Sequence, residues 1–157
     1  MPRKFKSTAR FLEPDSRYQS KLASKFINCL MHQGRKTAAR GVFYTAIDSL
    51  AQKVPDQDPL EVFSTALNNV KPVVEVRSKR VGGATLQVPH EIKRERQQAL
   101  AIRWIISAAR KKKGKPMGRR LAEELYDAFN QQGVAFTTRE NTHKMAEANK
   151  AYAHFAW

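Results

Sequence analysis

Apolar positions recur every three or four residues through most of this chain, the spacing that gathers side chains on one face of an α-helix. From Ser20 onward, Leu22, Phe26, Ile27 and Leu30 predict a first helix, with Gly34 as its stop. Ala39, Val42, Phe43, Ala46, Ile47 and Leu50 predict a second, closed by Pro55. Asp58-Pro59-Leu60-Glu61 then supplies an N-cap, a proline at the first helical position and a carboxylate at the third. This third helix presents Phe63, Ala66, Leu67 and Val70 to a core, and Pro72 drives Lys71 out of helical geometry.

The period then switches to two. Val73 to Val81 is rich in β-branched residues, Gly82-Gly83 is a two-residue turn, and strand character returns from Ala84 to Val88. With Val81 opposite Ala84, Arg80 faces Thr85, Lys79 faces Leu86 and Arg77 faces Val88, so basic side chains leave both faces of the ribbon. A two-stranded ribbon is marginal in water, so one projecting roughly 25–30 Å must rest on a partner.

After Pro89 a long helix is expected to about Arg110, with Ile92, Ala99, Ile102, Ile106 and Ala109 on one side and Leu100 and Trp104 on another. A fifth runs through Arg119, Arg120, Leu121, Leu125 and Phe129 and stops at Gly133. Thr137-Thr138-Arg139-Glu140 has the form of a capping box for a last helix, whose face carries Met145, Ala148, Tyr152 and Phe155. The pattern predicts a mainly α protein: a single helical domain over residues 1–157, of about six helices, with one protruding β-hairpin (73–88). A basic N-terminal arm (1–18) precedes it, and a C-terminal helix and tail (134–157) end it. No repeat at solenoid periods is visible.

Composition adds a partner class. The chain has 157 residues and is 41% apolar, enough for one domain with a real core. It carries 29 Lys plus Arg against 14 Asp plus Glu, a net charge of +15, and the surplus is segregated. Residues 1–40 hold ten cations and two acids, and residues 71–120 hold fifteen and three. The intervening 41–70 and the final 121–157 are each mildly acidic. Two basic blocks alternating with two acidic ones point to surfaces for a polyanion, of which nucleic acid is the commonest.

The first block opens with Arg3, Lys4, Lys6 and Arg10 in a stretch without hydrophobic periodicity and ends in Pro14-Asp15-Ser16. It reads as an arm with little structure until bound, or as an ordinary frayed terminus. In the second, Arg96, Arg103 and Arg110 recur every seven residues and form one stripe, whose stems are equally suited to covering core. The stripe runs into Arg110-Lys111-Lys112-Lys113-Gly114-Lys115, the densest positive charge in the chain, which stem packing does not explain. The terminal rings of Tyr152, Phe155 and Trp157 suit either core closure, the favoured reading from the residues alone, or base stacking.

Other chemistry is missing. No apolar run approaches the ~18 residues of a membrane span, and the basic start is not followed by an apolar signal segment, so a soluble cytoplasmic protein is expected. The single cysteine excludes an internal disulfide and a cysteine-rich zinc module. Cys29 and His32, three apart, make half a metal site at most, and read better as a buried helix thiol beside a surface histidine. Glu123, Glu124 and Asp127 read as a solvated helix surface balanced by Arg119 and Arg120. There is no P-loop, dinucleotide fingerprint or nucleophile elbow, and no catalysis, metal or cofactor is expected.

Four long stretches carry a resemblance. KFINCLMHQGRK (Lys25 to Lys36), NVKPVVEVRSKRVGGATLQVP (Asn69 to Pro89), LAIRWIISAARKKKGKPMGRRLAEEL (Leu100 to Leu125) and HKMAEANKAYAHFAW (His143 to Trp157) occur in order. Together they make the chain resemble the bacterial-type small-subunit ribosomal protein seven family over essentially its whole length. The resemblance implies a helical body with a protruding hairpin that binds the 3′ major domain of small-subunit ribosomal RNA and nucleates assembly of the subunit's head. It also implies a place at the subunit interface, near the decoding centre and the exit site for transfer RNA. In these terms the ribosomal RNA contacts expected are Arg3, Lys4, Lys6, Arg10, Arg35, Lys36, Arg96, Arg103, Arg110, Lys111, Lys112, Lys113, Lys115, Arg119 and Arg120. Arg77, Lys79 and Arg80, with Gly82 and Gly83 making the turn, would lie near exit-site transfer RNA and messenger. His143, Lys144, Asn149, Lys150, Tyr152 and Trp157 would make C-terminal contacts near ribosomal protein eleven, and contact with protein nine is also implied. The chain departs from the family pattern at Leu86, usually tyrosine, at Phe136, Thr137 and Thr138, commonly basic, and at Ala156, usually arginine. A plastid rather than bacterial setting is compatible with the same words. The rival reading from the residues is an architectural DNA-binding protein whose basic β-arm enters a minor groove.

Overall fold

A computed structural model describes residues 11–155. Six α-helices and one antiparallel hairpin follow in the order α1 (Lys21–Leu30), α2 (Lys36–Lys53), α3 (Pro59–Val70), β1 (Val74–Val81), β2 (Ala84–Glu91), α4 (Arg94–Lys111), α5 (Met117–Phe129) and α6 (Gly133–Ala148). A 3₁₀ segment, Lys150–Phe155, ends the described chain. The mainly α architecture with a single hairpin is as the hydrophobic pattern predicts.

Two of the helices, α1 and α3, begin where the sequence offers a side-chain oxygen acceptor. The Ser20 hydroxyl accepts the Ala23 N–H and Asp58 accepts the Leu60 N–H, the latter ahead of Pro59 at the first helical position. The core is centred on three fully buried phenyl rings, one from each of α1, α2 and α3: Phe26, Phe43 and Phe63. Their centroids lie 5.3 to 5.6 Å apart, with two of the three contacts edge-to-face. Ile102 and Ile105 of α4 and Leu121 and Leu125 of α5 complete it.

The hairpin register matches the expected one at every pair: Arg77 with Val88, Lys79 with Leu86, Arg80 with Thr85 and Val81 with Ala84. The first strand starts at Val74, and the second runs three residues further than expected, to Glu91. Gly82 and Gly83 both adopt left-handed φ, +56° and +91°, as a two-residue turn of this hand requires. The expected support is α6 and the 3₁₀ segment, which pack against the ribbon.

Several local expectations are overturned. The first helix ends at Leu30 rather than Gly34, which instead forms a left-handed turn with Gln33 before α2. The fifth ends at Phe129, and Gly133 opens the sixth rather than closing the fifth. Thr137 and Thr138 are inside α6 and donate to the carbonyls of Gly133 and Val134, so they cap nothing. The cap comes from a neighbouring helix, through the Glu124 carboxylate that accepts the Ala135 N–H at 2.9 Å. Glu124 is accordingly fully buried and not part of a solvated surface. Ala146, not Met145, is the buried residue of the terminal face. The helix breaks at Asn149, and no residue of Lys150–Phe155 is buried, so Tyr152 and Phe155 do not close the core. Cys29 is exposed, and His32 lies beyond the end of α1.

Residues 1–10, with the arm cations Arg3, Lys4, Lys6 and Arg10, lie outside the described residues, as does Trp157. The end of the predicted arm is fastened to the body: Asp15, buried, accepts the Tyr44 hydroxyl and the Arg17 N–H, and Arg17 forks onto Asp48.

Candidate nucleic-acid interface

The structure divides the predicted cations into those engaged internally and those facing solvent. Lys112, at the C-cap of α4, lies 2.9 Å from Glu124 and 3.2 Å from Asp127 of α5. Burial pulls its ammonium down, but the two carboxylates outweigh that and hold it above the ordinary lysine range. Lys115 pairs with Glu123, and Arg120 donates to the carbonyls of Arg110 and Lys112, closing the C-terminus of α4. The basic loop is thus partly a fold element.

Glu75 of β1 plays the same part for the hairpin. It is 8% exposed and takes Arg77 at 2.6 Å and Arg96 of α4 at 3.2 Å. Burial pushes its carboxyl up, yet the hydrogen bonds from both arginines prevail and hold it below the usual carboxylate range. Further out on the same face, Lys79 Nζ donates to the Phe155 carbonyl at 2.8 Å. One face of the ribbon is therefore turned to the body, with Arg77 and Lys79 engaged there, while Arg80 on the other face stays exposed beside the Gly82-Gly83 tip. Basic side chains do alternate across the ribbon, but its two faces are not equivalent.

Several of the cations without an ion pair among the described residues lie by the turn before α2, along α4 and in the loop after it, while others, among them Lys53, Lys93 and Arg94, lie elsewhere. Arg35 and Lys36 are exposed at the start of α2. Arg103, Arg110 and Lys111 line a groove of about 610 Å³ between α1 and α4, together with Cys29, Ala99, Ile106 and Ser107. Lys113 and Arg119 are exposed in the loop and first turn that follow. Arg110 donates to the Leu30 carbonyl at 3.1 Å, which fixes the end of α1 against α4 and sets its guanidinium between this groove and a second cavity beside α2. Of the arginine stripe, Arg96 belongs to the hairpin clamp, while Arg103 and Arg110 belong to the grooved surface.

At the C-terminal side, His143 Nε2 accepts the Val73 N–H at 3.1 Å and ties α6 to the start of the hairpin, while the Asn149 side chain donates to Met145. Lys144, Lys150 and Tyr152 are exposed. Among the described residues no group of His, Cys, Asp and Glu is placed to hold a metal ion, and no helix is long and apolar enough to cross a membrane.

A family model described as ribosomal protein S7p/S5e matches residues 2–150. The chain belongs to that family. It is a ribosomal protein, a structural RNA-binding constituent of a ribonucleoprotein that serves translation, and not an enzyme. Among curated relatives, the small ribosomal subunit protein uS7 of Rhodopirellula baltica is 58% identical over 144 residues, covering 91% of this chain and 92% of that protein. The protein of the same name from Borrelia turicatae is 50% identical over 157 residues and all of both chains, and that of Borreliella burgdorferi 49% over the same span. Family membership accounts for the four stretches quoted above. The residues that sequence reasoning missed are Glu75 and Glu124, whose engagement decides which cations face outward. Their signal is largely tertiary: Glu75 meets Arg96 of α4, and Glu124 meets Lys112 at the end of α4 and Ala135 of α6, while only Arg77 shares a strand with its partner.

Proposed function

We propose that this chain holds ribosomal RNA through the grooved basic end of its helical body, while its docked hairpin reaches a separate part of the ribosome. The chain is a structural component of the small ribosomal subunit and binds small-subunit ribosomal RNA. The RNA segment is the 3′ major domain, where binding starts assembly of the subunit's head. The hairpin tip around Arg80, Gly82 and Gly83 lies at the subunit interface, close to the decoding centre and to exit-site transfer RNA and messenger. The C-terminal segment with Lys144, Lys150 and Tyr152 faces protein eleven, protein nine contacts the body within the head, and the setting is cytoplasmic.

The observation that carries this reading is that Arg35 and Arg110 line one groove and Arg103, Arg110 and Lys111 a second that shares Arg110, with Lys36 and Lys113 exposed at neighbouring chain positions. Four other cations of the second basic block, Arg77, Arg96, Lys112 and Lys115, are engaged by Glu75, Glu123, Glu124 and Asp127. A grooved, three-dimensional basic surface suits a folded RNA junction read by shape.

The test is a footprinting comparison of separately transcribed 5′, central and 3′ major domains of small-subunit ribosomal RNA with the purified protein. Protection confined to the 3′ major domain is expected, and equal protection of all three would refute the assignment.

A further inference from the structure

The second cavity has features that a phosphate-only surface lacks. It encloses about 300 Å³ and is lined by Leu30, Ala38, Ala39, Val42 and Met117, with His32, Gln33, Arg35 and Arg110 around them. Its volume is at the low end of the range for small-molecule sites. Its floor is apolar and its rim cationic, which is the polarity of a nucleotide, a flat ring carrying a phosphate.

The helices behind it reinforce that polarity. α2 and α5 run parallel: Gly118 packs on Val42 and Thr45, Ala122 shares a surface pocket with Ser49 and Gln52, and Lys53 Nζ stands 4.9 Å from the centre of the Tyr126 ring. Both N-termini therefore end at the cavity, α2 with Arg35, Ala38 and Ala39 and α5 with Met117, its first residue. Neither has a side-chain cap or an acidic residue in its first turn. Two uncapped N-termini bring unpaired N–H groups and two positive dipole ends to one place. Arg110 spends one nitrogen on the Leu30 carbonyl and keeps other donors for the rim.

We propose that this cavity takes a single unstacked nucleotide of the bound RNA. The base enters between Met117 and the Ala38–Val42 face of α2, and its phosphate rests at the N-terminus of α2 between Arg35 and Arg110. The inference rests on the RNA-binding reading above and adds a base-sized contact to it. Sequence-tolerant stacking of this sort is a general means of holding unpaired nucleotides, worth about tenfold or more in affinity per base.

Two measurements test it. In protein labelled with ¹³C at the methionine methyls, binding the 3′ major domain RNA moves the Met117 methyl upfield, by the ring current of a base above it. The methyl of Met145, 52% exposed on α6, is unmoved and serves as internal control. The variant Ala38→Phe fills the cavity from an exposed position without altering charge. It is expected to melt like the parent and to lose about tenfold in affinity, with the same slope of log affinity against log salt. A complex that forms with the Met117 methyl unmoved, or with Ala38→Phe binding like the parent, overturns the nucleotide site and leaves RNA binding standing. If the parent protein forms no complex with this RNA, the failure is of the RNA-binding reading itself.

Discussion

Lys112 Nζ lies 2.9 Å from a Glu124 carboxylate that is entirely buried, and the same carboxylate accepts the Ala135 N–H at the start of α6. One acid thereby joins three helices and takes a lysine out of the densest basic run in the chain. Lys112→Met leaves a buried charge without its partner, and should cost about 3 kcal/mol of stability by urea denaturation. Lys112→Met combined with Glu124→Gln should recover most of that, because the amide oxygen still accepts from Ala135 while the charge is gone. RNA affinity of the double variant, corrected for folding, should stay close to the parent's, in contrast with Arg103 or Lys111 replacements.

The Glu75 clamp gives a pH dependence with a definite sign. Its carboxyl is held below the usual range, so its contribution is complete above the unfolded value of about 4.3 and fades as pH falls through the lower folded value. Glu75→Gln should cost about 1–2 kcal/mol near neutrality, a figure reduced because Arg77 and Arg96 are half exposed. It should also flatten the acid limb of the stability profile. Amide exchange across Val74–Val81 should quicken in the variant while α2 and α3 are unaffected.

Glycines at two helical positions should respond with opposite signs. At Gly133, φ is +90° and a Cβ would stand 2.9 Å from that of Asp127, so Gly133→Ala should destabilise by about 2 kcal/mol. At Gly41, inside α2, nothing lies within 4 Å, and Gly41→Ala should stabilise by about 0.5–1 kcal/mol. Thermal melts of the two variants check the pair.

Division of labour between body and hairpin is separable by substitution. Arg80→Ala, at an exposed position near the tip, should leave affinity for the 3′ major domain RNA within about twofold. In reconstituted small subunits it should weaken retention of deacylated transfer RNA at the exit site, measured by filter binding. Equal loss in both assays would contradict the separation.

What the sequence disclosed follows from how local each cause is. The ribbon register was legible because a two-residue Gly-Gly turn leaves one pairing compatible with alternation on both strands. The start of α3 was legible because Asp58 and Pro59 act within their own turn. The start of α6 was not, because its cap is Glu124, on another helix, and the local Thr-Thr-Arg-Glu word merely imitates a capping box. The outward-facing part of the site was legible as charge density. Which lysines and arginines are free to meet RNA was not, since Glu75 engages Arg96 and Glu124 engages Lys112 through contacts between elements that the chain order does not reveal. The exposure of Cys29 has a related cause: the groove between α1 and α4 leaves open a helix face that would otherwise be covered.

An ordered set of cations on the helical body that reads the shape of a ribosomal RNA domain has to distinguish that domain from plain duplex. The most direct measurement is affinity for the 3′ major domain RNA and for a generic RNA duplex of equal length, titrated across salt concentration. Affinity for both should fall steeply with salt, with a preference of orders of magnitude for the 3′ major domain at every salt. Equal affinity for the two RNAs would contradict it.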